Sequence, residues 1–498
     1  MHKKHAIVPI RAENYPEWYQ QIIKVADLAE VSPTRGCMVI KPWGYAIWEL
    51  IQKNLDALIK ESGHVNAYFP LLIPVSFFEK EAEHVKGFAK ECAVVTHSRL
   101  EIDNFGKAIP SSPLRESYII RPTSETIIGY FYSKWIKSYR DLPVLINQWA
   151  NVMRWEMRPR MFLRTAEFLW QEGHTAHETE EEARIETIKI LNLYADFAEN
   201  YLAIPVVKGL KTVNERFPGA VETYCVEAMM QDGKALQIGT SHFLGQNFSK
   251  ASNIIFTDKN NNKSYAWTTS WGVSTRLIGG LIMTHSDDDG LILPPKIAPI
   301  QIVILPIWNN STDQHEVFEF CEKLMVLLNE KSIRCFFDKR DIRGGEKRWQ
   351  YIKKGIPFLV EIGSKDLKLN QVTILRRDKI HEDKQILNFK AFIQNISNML
   401  ESMQDELFDK AKNFRDEKTK EIFSLSELDL FFANETGFAL SYWNDHEIDK
   451  KYDLLLKHNV TPRCILIDEE YKKDIKRSGT CLFSGRSTEE RIILAKSY

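Results

Sequence analysis

Three observations predict an α/β multidomain protein. The 498 residues exceed what one hydrophobic core organises, which sets the expectation at two to three domains. Residues 153–174, MRWEMRPRMFLRTAEFLWQEGH, concentrate four arginines, three acids, two tryptophans and a histidine, a density foreign to a core and suited to two charged antiparallel strands. Beyond Pro294-Pro295-Lys296, strand-like and helix-like runs alternate, which marks a small α/β unit with a largely parallel sheet.

Composition narrows the function classes. Hydrophobic residues make up 44% and charged residues 27%, as in ordinary soluble globular proteins. No apolar run reaches the ~18 residues a membrane helix needs, and the start MHKKHAIVPIRAENYPEW lacks a signal-peptide apolar region, so a cytoplasmic protein without membrane contact is expected. Cys37, Cys92, Cys225, Cys321, Cys335, Cys464 and Cys481 form no C-x-x-C pair and read as reduced, mostly buried thiols. A net charge of −1 leaves any nucleic-acid contact to local patches.

Taken in order, residues 14–30 carry apolar positions at helical spacing until Ser32-Pro33-Thr34-Arg35-Gly36 breaks the pattern. Pro42-Trp43-Gly44 opens an amphipathic helix through Ile47, Leu50, Ile51, Leu55, Leu58 and Ile59, stopped at Gly63 and followed by a strand ending Tyr68-Phe69-Pro70. Arg121-Pro122-Thr123-Ser124-Glu125 is a loop ahead of an aromatic-rich helix, where Thr123 or Ser124, taken alone, reads as a helix cap. In the charged segment Arg154 and Glu156 share one face of an extended strand, with Trp155 on the other. A loop follows at Arg158-Pro159-Arg160, and Arg164 and Phe168 fall on the returning strand. Thr179 and Glu182 form a capping box that opens a helix to about Leu202. Residues 236–242 set small residues, hydroxyls and an imidazole in succession, and residues 266–295 read as a strand, a tight turn at Gly272, a helix and a second strand.

The charged segment suits a nucleotide. Triphosphate oxygens call for planar, permanently charged forks, which arginine supplies better than lysine, and adenine calls for a flat partner. The bland reading of the same residues is a surface hairpin with solvated charges. Arg276 opens the helix after Gly272, where the dipole disfavours a cation and favours an anion. That misfit hints at a bound anionic group.

These residues carry a resemblance. Arg-x-Glu, a loop and Arg-x-x-x-Phe resemble motif 2 of the class II aminoacyl-tRNA synthetases; the long helix and proline-ended strand look like motif 1, and Arg276 with its helix like motif 3. With TSE, RWE…FLRTAEFLWQEGH, GTSHFLGQNFSK and GVSTRLIGG…DDDGLILPP in this order, the chain is similar to prolyl-tRNA synthetases of the archaeal and eukaryotic type. The resemblance implies a class II antiparallel-sheet catalytic domain at 1–296, an α/β anticodon-binding domain at 297–400 and a small α+β C-terminal domain at 401–498. It implies a homodimer through motif 1 that joins L-proline to tRNA(Pro) at the expense of ATP with Mg²⁺. Only about 100 residues separate motifs 2 and 3, which implies no editing insertion.

The same resemblance assigns roles. Arg154 and Arg276 are the catalytic cations, Arg154 on the α-phosphate and the proline carboxylate and Arg276, with Arg164, on the outer phosphates. Glu156 and Thr165 surround adenine, Phe168 stacks on it, and Gln237, Thr240 and Thr275 follow the ribose and phosphates. Thr123 and Glu125 accept from the prolyl ammonium, and Trp170, Glu172, His174 and His242 wall its ring.

Residues 334–354 set eight lysines and arginines against Asp338, Asp341 and Glu346, a net charge of +5, beside Phe336, Phe337 and Trp349. Alone this reads as a solvated helix face. The resemblance implies an anticodon-reading segment, with Asp338, Arg343, Glu346 and Lys347 as tRNA contacts and Gly344 standing where a proline is usual. Many family members bind zinc in the last domain through four cysteines. Here residues 443–449 hold none, Cys481 near Ser484 is left of the second pair, and Asp445 and His446 are poor substitutes, so no structural zinc is expected. The terminal Tyr498 is expected to reach the catalytic domain through its carboxylate. Two other readings stand: a threonyl or glycyl class II synthetase, and a catalytically silent tRNA-binding relative.

Overall fold

The charged segment folds into an eleven-stranded sheet in the computed structural model, which describes residues 5–79, 91–308, 311–444, 453–467 and 478–498. The elements that position the site are α1 (Tyr15–Val25), α2 (Pro42–Glu61), α3 (Glu125–Trp135), β1 (Val144–Met153), β2 (Glu167–His177), α4 (Glu180–Asn200), β3 (Val206–Leu210), β4 (Glu222–Met229), β5 (Ala235–Gly245), β6 (Trp267–Ser274) and α5 (Arg276–His285). The strands run β3-β4-β5-β6-β2-β1, antiparallel throughout. Alternation divides them. One face packs Leu236, Ile238, Trp271 and Val273 against apolar stripes of α1, α2, α4 and α5, such as Trp18, Ile51, Tyr194 and Leu281. The opposite face carries polar residues at its middle, flanked by apolar ones such as Val207, Cys225 and Met229 toward β3 and Ile146 and Ala176 toward β1. The Thr179–Glu182 capping box forms as expected and starts α4.

Several local expectations give way to turn chemistry. The helix at 14–30 stops at Val25, and Ala29–Val31 pairs with Met38–Ile40 as a hairpin, turned through Gly36 at φ +80°. The strand before Pro70 shrinks to Val65–Asn66, parallel to β1, because the Phe69 N–H donates to the Gln148 side chain (2.5 Å) and Pro70 has none. β1 ends at Met153, so Arg154 and Glu156 lie in the loop beyond it. Arg164 belongs to the same loop, closed by an Arg160–Arg164 bridge, and not to the returning strand. β6 passes straight through Gly272, whose Cβ would stand 3.0 Å from the Gln171 carbonyl. No second strand follows α5; Leu291 and Leu293 instead donate to the Lys353 and Gly355 carbonyls.

The next unit contains β7 (Ile302–Ile307), α6 (Ser311–Glu330), β8 (Cys335–Phe337), α7 (Gly344–Lys353), β9 (Phe358–Gly363), β10 (Gln371–Arg376) and β11 (Gln385–Asn388). Its sheet, β8-β7-β9-β10-β11, is mixed where a largely parallel one was expected. β7 is parallel to β8 and β9, but only a six-residue helix, Ser364–Leu369, joins β9 to β10, too short for a parallel crossover. Arg377, fully buried, locks this unit to the catalytic one through Asp287 (2.6 and 2.9 Å) and the Leu291 and Ile352 carbonyls.

Apart from a small hairpin that pairs Gly479–Thr480 with Ser487–Thr488, the tail's strands join the catalytic sheet. α8 (Phe389–Glu417) runs unbroken through the expected 400/401 boundary. Then β12 (Phe438–Tyr442), β13 (Val460–Leu466) and β14 (Arg491–Lys496) extend the catalytic sheet, β13 pairing with β3 at Ile465↔Leu210 and Leu466↔Gly209. Tyr498 reaches the catalytic unit through its hydroxyl, which donates to Asp232 (2.6 Å), and its N–H, which donates to the Ala235 carbonyl. Asp445 and His446 lie outside the described residues. Among those described, no helix is long and apolar enough to cross a membrane.

Candidate active site

Alternation on β2 builds one wall. Phe168, Trp170, Glu172 and His174 are two residues apart and face a cavity of about 260 Å³, while Gln171 and Gly173 face away. Gly173 is required there because a Cβ would fall 2.1 Å from the buried Trp271 ring. Gly173→Ala is therefore expected to destabilise the protein by about 1–3 kcal/mol, read as a lowered thermal unfolding midpoint.

β5 builds the facing wall through a bulge. Val226 pairs with Gly239 but Glu227 pairs with Gln237, which leaves Ile238 as the extra residue. Leu236 and Ile238 enter the core, Gly239 packs on Tyr194 and Val273, and Ser241 donates to the Thr187 carbonyl of α4. Gln237, Thr240 and His242 thereby share the cavity despite their uneven spacing.

One end of the cavity is acidic, and its side chains are buried. Glu172 is 1% exposed and accepts from Ser124 Oγ (2.5 Å) and Gln148 Nε2 (2.8 Å), with His174 Nε2 at 3.0 Å. Ser124 thus serves Glu172 and makes no side-chain cap on α3. Thr123 Oγ1 donates to Glu125. Burial opposes a charge on His174, but its hydrogen bond to Glu172 and the Glu125 carboxylate outweigh it and raise its pKa. His242 is pushed down to about 4 by burial and stays neutral at physiological pH; its Nδ1 is 3.0 Å from Thr223 Oγ1 and Phe217 stacks on its ring.

The other end is cationic. Arg154 Nε donates to the Pro122 carbonyl (2.8 Å), and its guanidinium lies 5.6 and 5.7 Å from the Phe168 and Trp170 ring centres. Arg276 Nε and Nη1 donate to the Leu163 and Gln237 carbonyls. Burial, then the charges of Arg164 and Arg154, push Arg276 down to about 10, so it remains a cation at neutral pH in a place that favours added negative charge. Of the expected residues, Glu156, Arg164, Thr165 and Thr275 do not line the cavity; Thr165 and Thr275 are buried and Arg164 is exposed. Lys211, Glu215, Arg216 and Phe217 line it without having been anticipated.

In the anticodon candidate, Arg343 and Glu346 are exposed beside Phe336 and Trp349. Asp338 and Lys347 are buried. Lys347 Nζ donates to the Asp338 carbonyl, while Arg340 and Tyr351 donate to the Asp338 carboxylate. The basic patch is smaller than the sequence suggests, since Arg334 donates inward to the Ala298 and Pro295 carbonyls and Arg348 pairs with Glu361.

The antiparallel sheet with its arginine-lined cavity is that of a class II aminoacyl-tRNA synthetase. Residues 108–285 match the family described as tRNA synthetase class II core domain (G, H, P, S and T), and residues 301–399 match the anticodon binding domain. The chain is 56% identical to the proline--tRNA ligase of Bdellovibrio bacteriovorus over 99% of both chains, and 54% identical to that of Rhodopirellula baltica over 99% of this chain and 98% of that one. It superposes with a TM-score of 0.90, at 37% identity and over 99% of both chains, on prolyl-tRNA synthetase from Cryptosporidium parvum complexed with halofuginone and AMPPNP. The chain belongs to the proline--tRNA ligases. It activates L-proline with ATP and passes the prolyl group to tRNA(Pro), which sets aside the threonyl, glycyl and silent readings.

Proposed function

We propose that proline occupies the acidic end of the cavity and ATP the cationic end, with Arg154 between them. The observation that carries this is the division of one cavity into a Glu125–Glu172–His174 end and an Arg276–Gln237 end. The prolyl ammonium donates to Thr123 and Glu125; Trp170, Glu172, His174 and His242 surround the ring. Arg154 contacts the proline carboxylate and the α-phosphate, so it meets the charge that develops when the carboxylate attacks phosphorus and pyrophosphate leaves. Attack of the terminal ribose hydroxyl of tRNA on the prolyl carbonyl then develops charge at the carbonyl oxygen beside the same cation and expels AMP, whose phosphate takes the hydroxyl proton. Positioning and fixed charge suffice, without a general base from the protein.

Phe168 stacks on adenine, and Gln237 and Thr240 follow the ribose and phosphates. Glu156, Arg164, Thr165 and Thr275 act from the motif 2 loop and the start of α5, Arg164 joining Arg276 on the outer phosphates as that exposed loop folds over the nucleotide. Gln237 and Thr240 offer neutral oxygens, which fits Mg²⁺ held mainly by ATP itself. The ion neutralises phosphate charge when bound.

In the same reading Arg343 and Glu346 touch anticodon bases, with Asp338 and Lys347 holding the loop that presents them. The chain divides into units at 1–296, 297–400 and 401–498, with α8 spanning the last boundary. The likeness to the Cryptosporidium enzyme over the whole chain, with β3–β5 continuous between motifs 2 and 3, supports the archaeal and eukaryotic type without an editing insertion. Exposed Val65, Tyr68 and Leu72 along motif 1 support a homodimer. Cys481, packed in the apolar cluster of Trp443 and Phe483, supports a tail without zinc, and the soluble composition supports a cytoplasmic enzyme.

ATP–pyrophosphate exchange with each amino acid in turn tests the reading: exchange should depend on proline. Exchange driven by another amino acid, or none from folded protein that binds ATP, overturns the pocket assignment.

A further inference from the structure

The seam between tail and catalytic sheet encloses an ion cluster that the mechanism above does not use. Glu227 of β4 accepts from Lys211 Nζ at 2.8 Å and from Arg463 of β13, whose Nη2 lies 2.9 and 3.0 Å from the two carboxylate oxygens and whose Nε lies 3.2 Å from the second. Lys211 Nζ also donates to the Arg463 carbonyl (2.8 Å). The three side chains are 4%, 0% and 9% exposed for Lys211, Glu227 and Arg463.

The cluster borders the nucleotide end of the cavity. Glu227 stands directly opposite Gln237 across β4 and β5, so both side chains leave the same face of the sheet. Lys211 lines the cavity wall together with Gln237 and Arg276. Burial disfavours the Glu227 carboxylate, but Arg463 and Lys211 outweigh it and hold the group ionised, and its charge is felt at Arg276. Buried ions of this kind are costly, and well-packed apolar residues often hold a seam as well. A seam that keeps them here, next to a site for a triphosphate, suggests that their charge has a use.

We propose that Arg463, supplied by the tail, is a positioning residue for ATP: it completes a cluster of net charge +1 that stops Glu227 from repelling the triphosphate at the Arg276 end. The proposal rests on the reading that this end holds the phosphates. Charge bookkeeping makes it separable from simple docking of the tail. The parent, Arg463→Lys, and Arg463→Met combined with Glu227→Gln all keep +1, whereas Arg463→Met alone leaves zero.

Steady-state exchange on the full chain reads the difference. Arg463→Met is expected to raise KM for ATP about tenfold and leave KM for proline within about twofold, because the lost charge acts on phosphate alone. Arg463→Lys and the double variant should bring KM for ATP back to within about threefold of the parent. If the cluster only docks the tail, KM for ATP and KM for proline will rise together in Arg463→Met and recover together in the double variant, in step with the thermal unfolding midpoint; that pattern overturns the proposal. Should Arg463→Met not fold, the double variant decides alone, since a KM for ATP about tenfold above the parent there is fatal to it. Arg276→Ala in parallel separates the two readings. If it leaves KM for ATP unchanged, the phosphate assignment fails; if it raises KM while Arg463→Met does not, only the role of Arg463 fails.

Discussion

Arg154→Ala is expected to slow proline-dependent ATP–pyrophosphate exchange about a thousandfold, because it removes a fixed cation from the point where charge develops. The side chain is oriented before any substrate arrives: Nε is tied to the Pro122 carbonyl and the guanidinium lies over the edge-to-face pair of Phe168 and Trp170 rings. Burial presses its pKa down, while Glu125, Glu91 and Glu172 press it up, so it is also the cation that offsets the acidic end. Alanine would unbalance that end as well as the reaction centre, and both kcat and KM for proline should change. Arg154→Lys keeps a charge but loses the planar fork, and about a tenth of the parent rate or less is expected from it. Rates under saturating substrates, beside thermal unfolding curves that stay near the parent's, make the comparison. An alanine variant retaining a tenth of the parent rate would remove Arg154 from the chemistry.

What the sequence made legible follows from alternation and capping, and what it hid follows from departures from them. Phe168, Trp170, Glu172 and His174 are visible as one face because a strand repeats every two residues. Gln237 and Thr240 are out of step, and nothing local reveals that Ile238 is a bulge; the register against β4 does. Ser124 looked like a helix cap because that is a hydroxyl's common use at such a position, yet Glu172, distant in sequence, competes for it and wins. Lys211 and Phe217 reach the cavity from a connection between strands with no periodicity to read. The tail was expected as a separate domain. Its docking depends on β13 finding the free edge of β3, a pairing that no spacing within either segment encodes. The same seam brings Arg463 to Glu227 and Lys211, beside the cavity.

Glu125→Gln is expected to lower kcat/KM for proline about a hundredfold while KM for ATP stays within about threefold, since the change removes a charge and almost no volume. Glu125 is 7% exposed, so an ammonium placed against it meets a carboxylate with little water to screen the pair. A secondary ammonium has two N–H donors, and Thr123 and Glu125 supply a neutral and a charged acceptor side by side. Glutamine preserves the shape but replaces one acceptor oxygen with a donor, so the loss should appear even though packing is kept. A second signature follows from His174. Its pKa is raised against burial by Glu172 first and Glu125 next, so the protonated ring persists to higher pH than an ordinary histidine and loses its proton as pH climbs through that raised value. Removing the Glu125 charge withdraws part of that support, and an imidazole titration followed by NMR should move to lower pH in the variant. If glutamine keeps more than about a third of kcat/KM for proline, or if KM for ATP rises in parallel, Glu125 is only an acid in the first turn of α3, favoured there by the helix dipole. A titration that moves while proline kinetics do not would place Glu125 beside His174 without placing it beside the substrate, and the acidic end would then owe its specificity to Glu172.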